Sequence, residues 1–181
     1  MNWPPEARGY FAIGAERMSK SLNLGNLMRS AHGFGASFTF TVGGSYAAFE
    51  AKADTSKSRE HLPHYDWDSA DEMALPNHCQ LVGIELIDDA IDLPSFRHPL
   101  RAAYILGPER GSLGESVLSR CDHCVKIPTK FCINVAMAGA VVMYDRVRSL
   151  ARFADRPVRA GGPDAPAPPH IHGGPLIRST G

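Results

Sequence analysis

Three short blocks of this sequence combine residue types that could bind a phosphate or enclose a small ligand. The first block, Asn23 to Ser30, places two asparagines and a glycine before Arg29 at the start of a predicted helix. The second, Ile105 to Gly111, is a predicted strand that runs into a tight turn with a charged pair at its tip. The third, Ile127 to Asn134, ends a strand with a proline turn before a helix of small residues. Because arginine carries a planar, permanent charge and ligands of α/β folds bind at strand ends, the first block suits a phosphate.

Each block also has an ordinary structural explanation when it is taken alone. Asn23 could serve only as the N-cap of the helix that follows it. Gly107-Pro108-Glu109 is a common turn sequence, and Asn134 could simply cap the last helix. Only the combination of the three blocks, in this order, is specific enough to indicate a functional site.

Several other kinds of site are excluded because the motifs that mark them are absent from the sequence. The sequence has no phosphate loop with its lysine, no G-x-G-x-x-G after a strand, no H-E-x-x-H and no G-x-S-x-G. ATP and dinucleotide chemistry are therefore disfavoured. Cys121 and Cys124 have zinc-ligand spacing, but no second pair exists because Cys79 and Cys132 are isolated, so we predict no metal site.

The elements that must position the blocks alternate between strands and helices. Strands are predicted at residues 10–15, 38–42, 80–86, 102–106 and 123–127, and helices at residues 24–34, 69–75, 113–120 and 134–153. This alternation predicts an α/β fold with a mostly parallel sheet covered by helices on both faces. Residues 157–181 contain 6 Pro and 5 Gly. We therefore predict one domain over residues 1–153 and a disordered tail over residues 154–181.

The overall composition is that of a soluble globular domain with balanced charge. Of the 181 residues, 44% are apolar and 21% charged, and no apolar run is long enough to span a bilayer. The absence of a signal peptide predicts a cytoplasmic protein with reduced thiols. The 19 basic and 19 acidic residues are unevenly spread, with net charges of +2 over residues 1–49, −7 over 50–98 and +5 over 99–159. A basic face could meet a polyanion, although a solvated surface explains the same charges.

Together and in this order, the blocks resemble the three motifs of the SpoU (TrmH) family of RNA 2′-O-ribose methyltransferases, within the SPOUT superfamily. The resemblance covers residues 8 to about 150. The first motif, N-x-G-N-[IL]-x-R, is matched by Asn23, Gly25, Asn26, Leu27 and Arg29. The second, G-x-E-x-x-G after a strand, is matched by Gly107 and Glu109, and the third, I-P before S-L-N, by Ile127, Pro128 and Asn134.

Two positions depart from these motifs. Ser112 stands where the second motif has its last glycine, and Cys132 stands where the third has its serine. The first change raises the question of whether position 112 needs a backbone conformation that favours glycine. The second replaces a good hydrogen-bond donor with a weaker one. These departures motivate an alternative from another class, a catalytically inactive SPOUT-fold RNA-binding protein. A base methyltransferase is the enzymatic alternative, but the first motif goes with ribose methylation.

The resemblance implies a fold, a cofactor and an assembly. It implies a deep trefoil knot in the C-terminal part of the sheet and S-adenosylmethionine bound in that knot. The residues that would hold the cofactor are Ile84, Gly107, Ile127, Cys132 and Ile133. It also implies a homodimer with the last helix in the interface, through the small-residue face of Ala136, Gly139 and Ala140.

The resemblance further implies catalytic and substrate-binding roles. In the family, the arginine that Arg29 matches is proposed to act on the ribose 2′-hydroxyl with help from the substrate phosphate. Because guanidinium is effectively always protonated, we expect Arg29 instead to orient that phosphate and to stabilise developing charge. Glu109 and Asn134 would arrange Arg29, Asn23, Asn26 and the pocket. The first strand begins near residue 10, so we expect the catalytic dimer itself to grip a structured RNA, with transfer RNA favoured over ribosomal RNA. The candidate RNA contacts are Arg8, Arg17, Lys20, Arg110, Lys126 and Lys130.

Overall fold

The computed structural model of the chain describes residues 9–44, 61–163 and 165–166. Its strands are β1 (Tyr10–Glu16), β2 (Phe38–Val42), β3 (His64–Trp67), β4 (Gln80–Ile84), β5 (Ile91–Asp92), β6 (Arg101–Leu106) and β7 (His123–Lys126). Its helices are α1 (Ser21–Gly33), α2 (Glu115–Leu118) and α3 (Val135–Leu150), with a 3-10 turn at Leu93–Ser95.

The strands form one sheet in which every pair is parallel. Their order is β3-β2-β1-β6-β4-β7-β5, with β1 and β6 at the centre. Because all strands run the same way, their carboxyl ends meet at one edge, which is where α/β folds bind ligands. The predicted α/β class and mostly parallel sheet are confirmed.

Successive residues of the central strands pack on opposite faces of the sheet. In β1, Phe11 and Ile13 belong to one buried cluster and Ala12 to another. Helices α1 and α3 cover the first face, and α2 covers the second with a turn around Met73. Both faces are therefore buried, which explains why these strands read as continuous apolar runs. The trefoil knot stays a prediction.

Several predicted element boundaries were wrong. Helix α1 begins at Ser21 rather than at residue 24, so Asn23 lies inside the helix and is not its N-cap. The helix predicted at 69–75 is absent, because Met73 N–H bonds Ala70 O in a single turn. Strands β3 and β5 were not predicted from the sequence. Helix α2 has only four residues rather than the eight predicted at 113–120.

A buried arginine fixes α3 to the amino end of the sheet. Arg146 is 2% exposed and donates to the carbonyl oxygens of Pro99, Tyr10 and Leu100 at 2.5 to 3.1 Å. Its guanidinium also donates to the hydroxyl of Tyr104 at 3.2 Å. All of these oxygens are acceptors, so the buried guanidinium is satisfied by fixed dipoles of the strand starts.

A buried histidine that precedes β6, His98, contacts the same end of α3. His98 bridges Tyr104, at 2.6 Å from its Nδ1, and Asp145, at 3.0 Å from its Nε2. Burial lowers the pKa of His98 despite the neighbouring Asp145 carboxylate, and burial raises the pKa of Tyr104 to about 12. This network therefore holds a neutral tyrosine and disfavours a charged histidine.

Residues Met1–Ala151 form one compact unit, and Arg152–Gly181 form a second. The described part of the second unit, residues 152–163 and 165–166, contains no helix or strand. The predicted domain boundary and the disorder of the tail stay predictions. Within the described residues, no helix has the length and apolar character needed to cross a membrane.

Candidate active site

A pocket of about 440 Å³ opens at the carboxyl ends of β4, β6 and β7. Each strand contributes the loop that follows it, and the start of α3 closes the far side. All five residues predicted to hold a cofactor line this pocket: Ile84, Gly107, Ile127, Cys132 and Ile133. The fold therefore brings together predicted site residues that lie up to 49 positions apart in the sequence, on three different loops.

The glycines of the second motif fit the close packing of its loop. A Cβ atom at Gly107 would lie 3.0 Å from Leu113 N and 3.4 Å from Glu85 Oε2, so a side chain there would crowd the loop against the strand end. Gly111 has φ +108, a backbone conformation that favours glycine. Ser112 is outside that region. The residue of this loop with a positive φ is therefore Gly111, and position 112 does not require a glycine.

Glu109 fixes the second-motif loop to the start of α1. Its carboxylate accepts from Ser19 N at 3.0 Å, Ser19 Oγ at 2.9 Å, Lys20 N at 2.9 Å and Asn23 Nδ2 at 3.1 Å. Burial alone would raise the pKa of Glu109, but hydrogen bonds from the backbone N–H groups of Ser19 and Glu109 and from the Asn23 and Ser19 side chains lower it to about 2. Glu109 is therefore ionised at neutral pH. Its hydrogen bonds hold the residues before α1 and the start of that helix against the second-motif loop.

The first and third motifs meet through their asparagines. Asn134 accepts from Ala136 N at 2.9 Å, so it is the N-cap of α3, and its Nδ2 donates to Asn23 Oδ1 at 3.0 Å. Asn23 in turn donates to Glu109. The hydrogen bonds run in one direction from the start of α3 to Glu109, which fixes both amides. These three residues are therefore positioning groups of the pocket wall.

The other two polar residues of the first motif project outward from the same helix, whereas Gly25 and Leu27 are buried. Asn26 and Arg29 are exposed on α1 and do not line the pocket. Arg29 lies six residues, about 9 Å of helix rise, beyond Asn23. Within the described part of the chain it makes no hydrogen bond or ion pair.

The predicted RNA contacts fall into three groups. Lys20 and Lys126 line the pocket, and Lys126 Nζ donates to Asp88 O at 3.2 Å. Arg17, Arg110 and Lys130 are exposed at neighbouring loops without lining it. Arg8 lies outside the described residues.

The sequence analysis missed several pocket residues that follow strand ends. Glu85 and Leu86 directly follow Ile84 at the end of β4, and Thr129 lies in the loop after Pro128. Glu85 Oε2 accepts from Leu113 N at 2.7 Å, and Thr129 Oγ1 donates to Phe131 O at 2.8 Å. Their position immediately after parallel strands is the signal that could have identified them.

The small-residue face of α3 was wrongly assigned to a subunit interface. Ala136 and Gly139 are buried within the chain, and a Cβ at Gly139 would lie 2.3 Å from Leu27 Cδ1 of α1. The small residues thus allow α3 to approach α1 closely. The outward side of α3 instead exposes Met137, Val141 and Tyr144, spaced one helical turn apart.

Cys121 and Cys124 lie together under the second-motif loop. A Cβ at Gly83 would lie 3.1 Å from Cys121 Sγ and 3.3 Å from Cys124 Sγ. Burial, reinforced by the neighbouring Cys124, raises the pKa of Cys121 to about 12. Among the described residues, no group of three or more metal-binding side chains occurs.

The depressed pKa of Glu109 predicts a specific dependence of stability on pH. A carboxyl with a folded pKa of about 2 and an ordinary value of 4.5 stabilises the fold fully above pH 4.5, and this contribution is lost as the pH falls toward 2. We expect the difference in free energy of unfolding between the protein and Glu109→Gln, measured in urea, to shrink across this window. Glu115→Gln is the control, because Glu115 is exposed and makes no side-chain hydrogen bond within the described residues. A difference for Glu109→Gln that does not change with pH would contradict the assigned role.

The model of the SpoU rRNA Methylase family matches residues 10–144 of this chain. The mouse (Mus musculus) tRNA (guanosine(18)-2'-O)-methyltransferase TARBP1 is 26% identical over 150 residues, which cover 75% of this chain and 9% of that protein. The chain thus spans a small part of that relative's length.

Solved structures show the same fold. The SpoU methyltransferase AviRb from Streptomyces viridochromogenes, in complex with AdoMet, has a TM-score of 0.70 at 23% identity over 80% of this chain and 59% of that one. The A. aeolicus TrmH/SpoU tRNA modifying enzyme has a TM-score of 0.68 at 15% identity, over 80% and 77% of the two chains. A protein solved in work on the 2-OH methylation of C/U34 on tRNA has a TM-score of 0.66 at 24% identity, over 80% and 92%. Since the family model spans most of the chain, with all three motif blocks in the matched range, the chain belongs to the SpoU rRNA methylase family.

Proposed function

We propose that this chain transfers a methyl group from S-adenosylmethionine to a ribose 2′-hydroxyl of RNA. The observation that carries the proposal is the single pocket at the ends of β4, β6 and β7. It is lined by every residue predicted to hold the cofactor and walled by the Glu109–Asn23–Asn134 network. The family match over residues 10–144 supports the same class of reaction.

The pocket fits a nucleoside-containing cofactor in size and in chemistry. Its volume of about 440 Å³ is within the range of small-molecule sites. Apolar walls from Ile84, Leu106 and Ile133 suit a flat base, and the close approach at Gly107 exposes loop backbone to a ligand. When bound, the cofactor supplies an electrophilic methyl group on a sulfonium.

The protein's own part in the reaction is positioning and charge stabilisation. Arg29, exposed and unpaired within the described residues, would bind the phosphate beside the target ribose and stabilise the charge that develops on the attacking oxygen. The Glu109–Asn23–Asn134 network fixes the start of α1, the helix that carries Arg29. Such positioning supplies much of the acceleration of a two-substrate reaction.

Transfer RNA is the substrate that we favour over ribosomal RNA. The mouse relative is a tRNA 2'-O-methyltransferase, and two of the similar solved structures are described as acting on tRNA. The protein from the C/U34 work is also matched over 92% of its length, so its dimensions resemble those of this domain. From the sequence alone we also propose a cytoplasmic location.

We propose that the protein works as a homodimer. The outward side of α3 exposes Met137 (63%), Val141 (39%) and Tyr144 (55%), and α1 exposes Leu22 (62%) beside it. An apolar stripe on two packed helices suits an isologous contact, in which the same surface meets itself in two copies.

Introducing a charge on this stripe is expected to produce monomers. Tyr144→Glu should shift the mass measured by light scattering from dimer to monomer, because it would bury two carboxylates near the symmetry axis. Tyr65→Glu, the same change at a tyrosine that is 50% exposed on the edge strand β3, is the control and should leave the mass unchanged. A monomeric unsubstituted protein, or a dimeric Tyr144→Glu variant, would contradict this assembly.

The function is tested by methyl transfer to RNA. The protein is incubated with labelled S-adenosylmethionine and bulk RNA from a strain that lacks the gene, and the modified nucleotide is mapped by mass spectrometry. We expect label on a ribose in the transfer RNA fraction. Label in ribosomal RNA would change the substrate, whereas cofactor binding without transfer to any RNA fraction would favour the inactive RNA-binding protein.

A further inference from the structure

The second-motif loop, residues 107–114, is joined at its far end to the last residue of β1. The Gly114 N–H donates to Glu16 Oε2 at 2.6 Å. A Cβ at Gly114 would lie 2.6 Å from Glu16 Oε1, so only a glycine lets the carboxylate come this close. The loop and the strand end are therefore fitted to each other at this point.

Glu16 is one of the few buried charged residues of the described chain. It is 5% exposed at the carboxyl end of β1, and Arg17 Nε lies 3.4 Å from its Oε1. Arg17 also points toward the loop, with Nη2 3.4 Å from Ser112 O. Its backbone has φ 47, a conformation that costs energy for a residue other than glycine. Glu16 at the end of the strand and Arg17 after it therefore both face the loop, and the backbone of Arg17 is strained.

Two carboxylates join the loop to the turn after β1, and one of them comes from each side. Glu109 of the loop accepts from the N–H groups of Ser19 and Lys20 in that turn. Glu16 before the turn accepts from Gly114 at the other end of the loop. Hydrogen bonds to an ionised carboxylate are stronger than those between neutral groups. The loop is thus tied to one turn at two points that are five residues apart.

We propose that Glu16 is a positioning residue of the cofactor pocket, which sets the shape of the loop that carries Gly107 and Glu109 and thereby the affinity for S-adenosylmethionine. This inference rests on the proposed function. It also accounts for Ser112, which stands at a motif glycine. In this chain Gly111 supplies the left-handed conformation, and the Glu16–Gly114 bond fixes the loop beyond it.

The test compares two conservative substitutions by calorimetric binding of S-adenosylhomocysteine. Glu16→Asp withdraws the carboxylate by one methylene and should weaken binding about tenfold, whereas Glu16→Gln retains an acceptor and should weaken it about two- to threefold. Glu115→Asp, the same change one residue beyond Gly114, is the matched control and should bind normally. In steady-state assays the KM for S-adenosylmethionine should rise, with kcat at saturating cofactor within about threefold of the unsubstituted protein.

Thermal unfolding of each variant distinguishes positioning from lost stability. If Glu16→Asp does not fold, Gly114→Ala approaches the same contact from the loop and should weaken binding similarly. Normal affinity in folded Glu16→Asp, or in folded Gly114→Ala, would overturn the inference. If the unsubstituted protein binds no S-adenosylhomocysteine, the proposed function fails, and the inference fails with it.

Discussion

Replacing Arg29 with alanine is expected to reduce methyl transfer by about a hundred- to a thousandfold, the usual cost of removing a group that stabilises developing charge. Arg29 is exposed on α1 and has no partner within the described residues, so its removal leaves no buried group unpaired. Cofactor binding and thermal stability should therefore stay unchanged. The measurement is single-turnover transfer of labelled methyl to RNA, together with calorimetric binding of S-adenosylhomocysteine.

A matched control separates this role from general attraction of RNA by positive charge. Arg101 is exposed at the start of β6, at the edge of the sheet opposite the pocket. Arg101→Ala removes the same side chain and should change transfer by no more than about twofold. Equal losses in the two variants would show that Arg29 contributes only bulk charge.

The lysine variant distinguishes two chemical roles for Arg29. A guanidinium is a poor base because it stays protonated in proteins, whereas a lysine amine titrates near pH 10. If Arg29 orients a phosphate, Arg29→Lys should keep part of the activity, with the same pH dependence as the unsubstituted protein. If residue 29 removes the ribose proton, the activity of Arg29→Lys should climb steeply as its amine deprotonates. We expect the first result.

The parts of the fold that could be predicted from the sequence are those in which burial dominates. Strands β1 and β6 are buried on both faces and appear as largely continuous apolar runs, and β2 is marked by β-favouring phenylalanine, threonine and valine. Strand β3 was missed because it lies at the sheet edge and has only four residues, His-Tyr-Asp-Trp, so its alternation of polar and aromatic side chains is too short to mark a strand. Edge strands carry weaker signals because one side has no partner strand.

The residues of the candidate site could be predicted from the sequence, but the hydrogen bonds between them could not. Gly107, Glu109 and Asn134 follow strands, and the carboxyl ends of parallel strands share one edge, so their convergence follows from the topology. The bonds of Asn23 to Glu109 and Asn134 join residues 86 and 111 positions apart, and no local pattern specifies such pairs. Glu16 and Glu85 were missed because an acidic residue after an apolar run is read as the end of a strand.

Replacing Arg146 with methionine is expected to lower the free energy of unfolding by about 2–4 kcal/mol, because a buried polar group left without its hydrogen-bond partner costs about 1–3 kcal/mol. The change would leave the carbonyl oxygens of Pro99, Tyr10 and Leu100 without their guanidinium donor in the interior. Arg148→Met is the matched control two residues away. Arg148 is 49% exposed and lies 3.8 Å from Asp145, so its loss should cost no more than about 0.5 kcal/mol.

The effect of Arg146 should extend to the active site, because one helix connects the two. Arg146 fixes α3 near its end, and Asn134 fixes the same helix at its start, about 18 Å away along the axis. Urea unfolding of both variants measures the stability, and Arg146→Lys, which retains the charge but fewer donors, should fall between Arg146→Met and the unsubstituted protein. Equal stability of Arg146→Met and Arg148→Met would show that the strand starts are held by apolar packing alone. A large difference would show that the guanidinium of Arg146 holds the end of α3 to the strand starts.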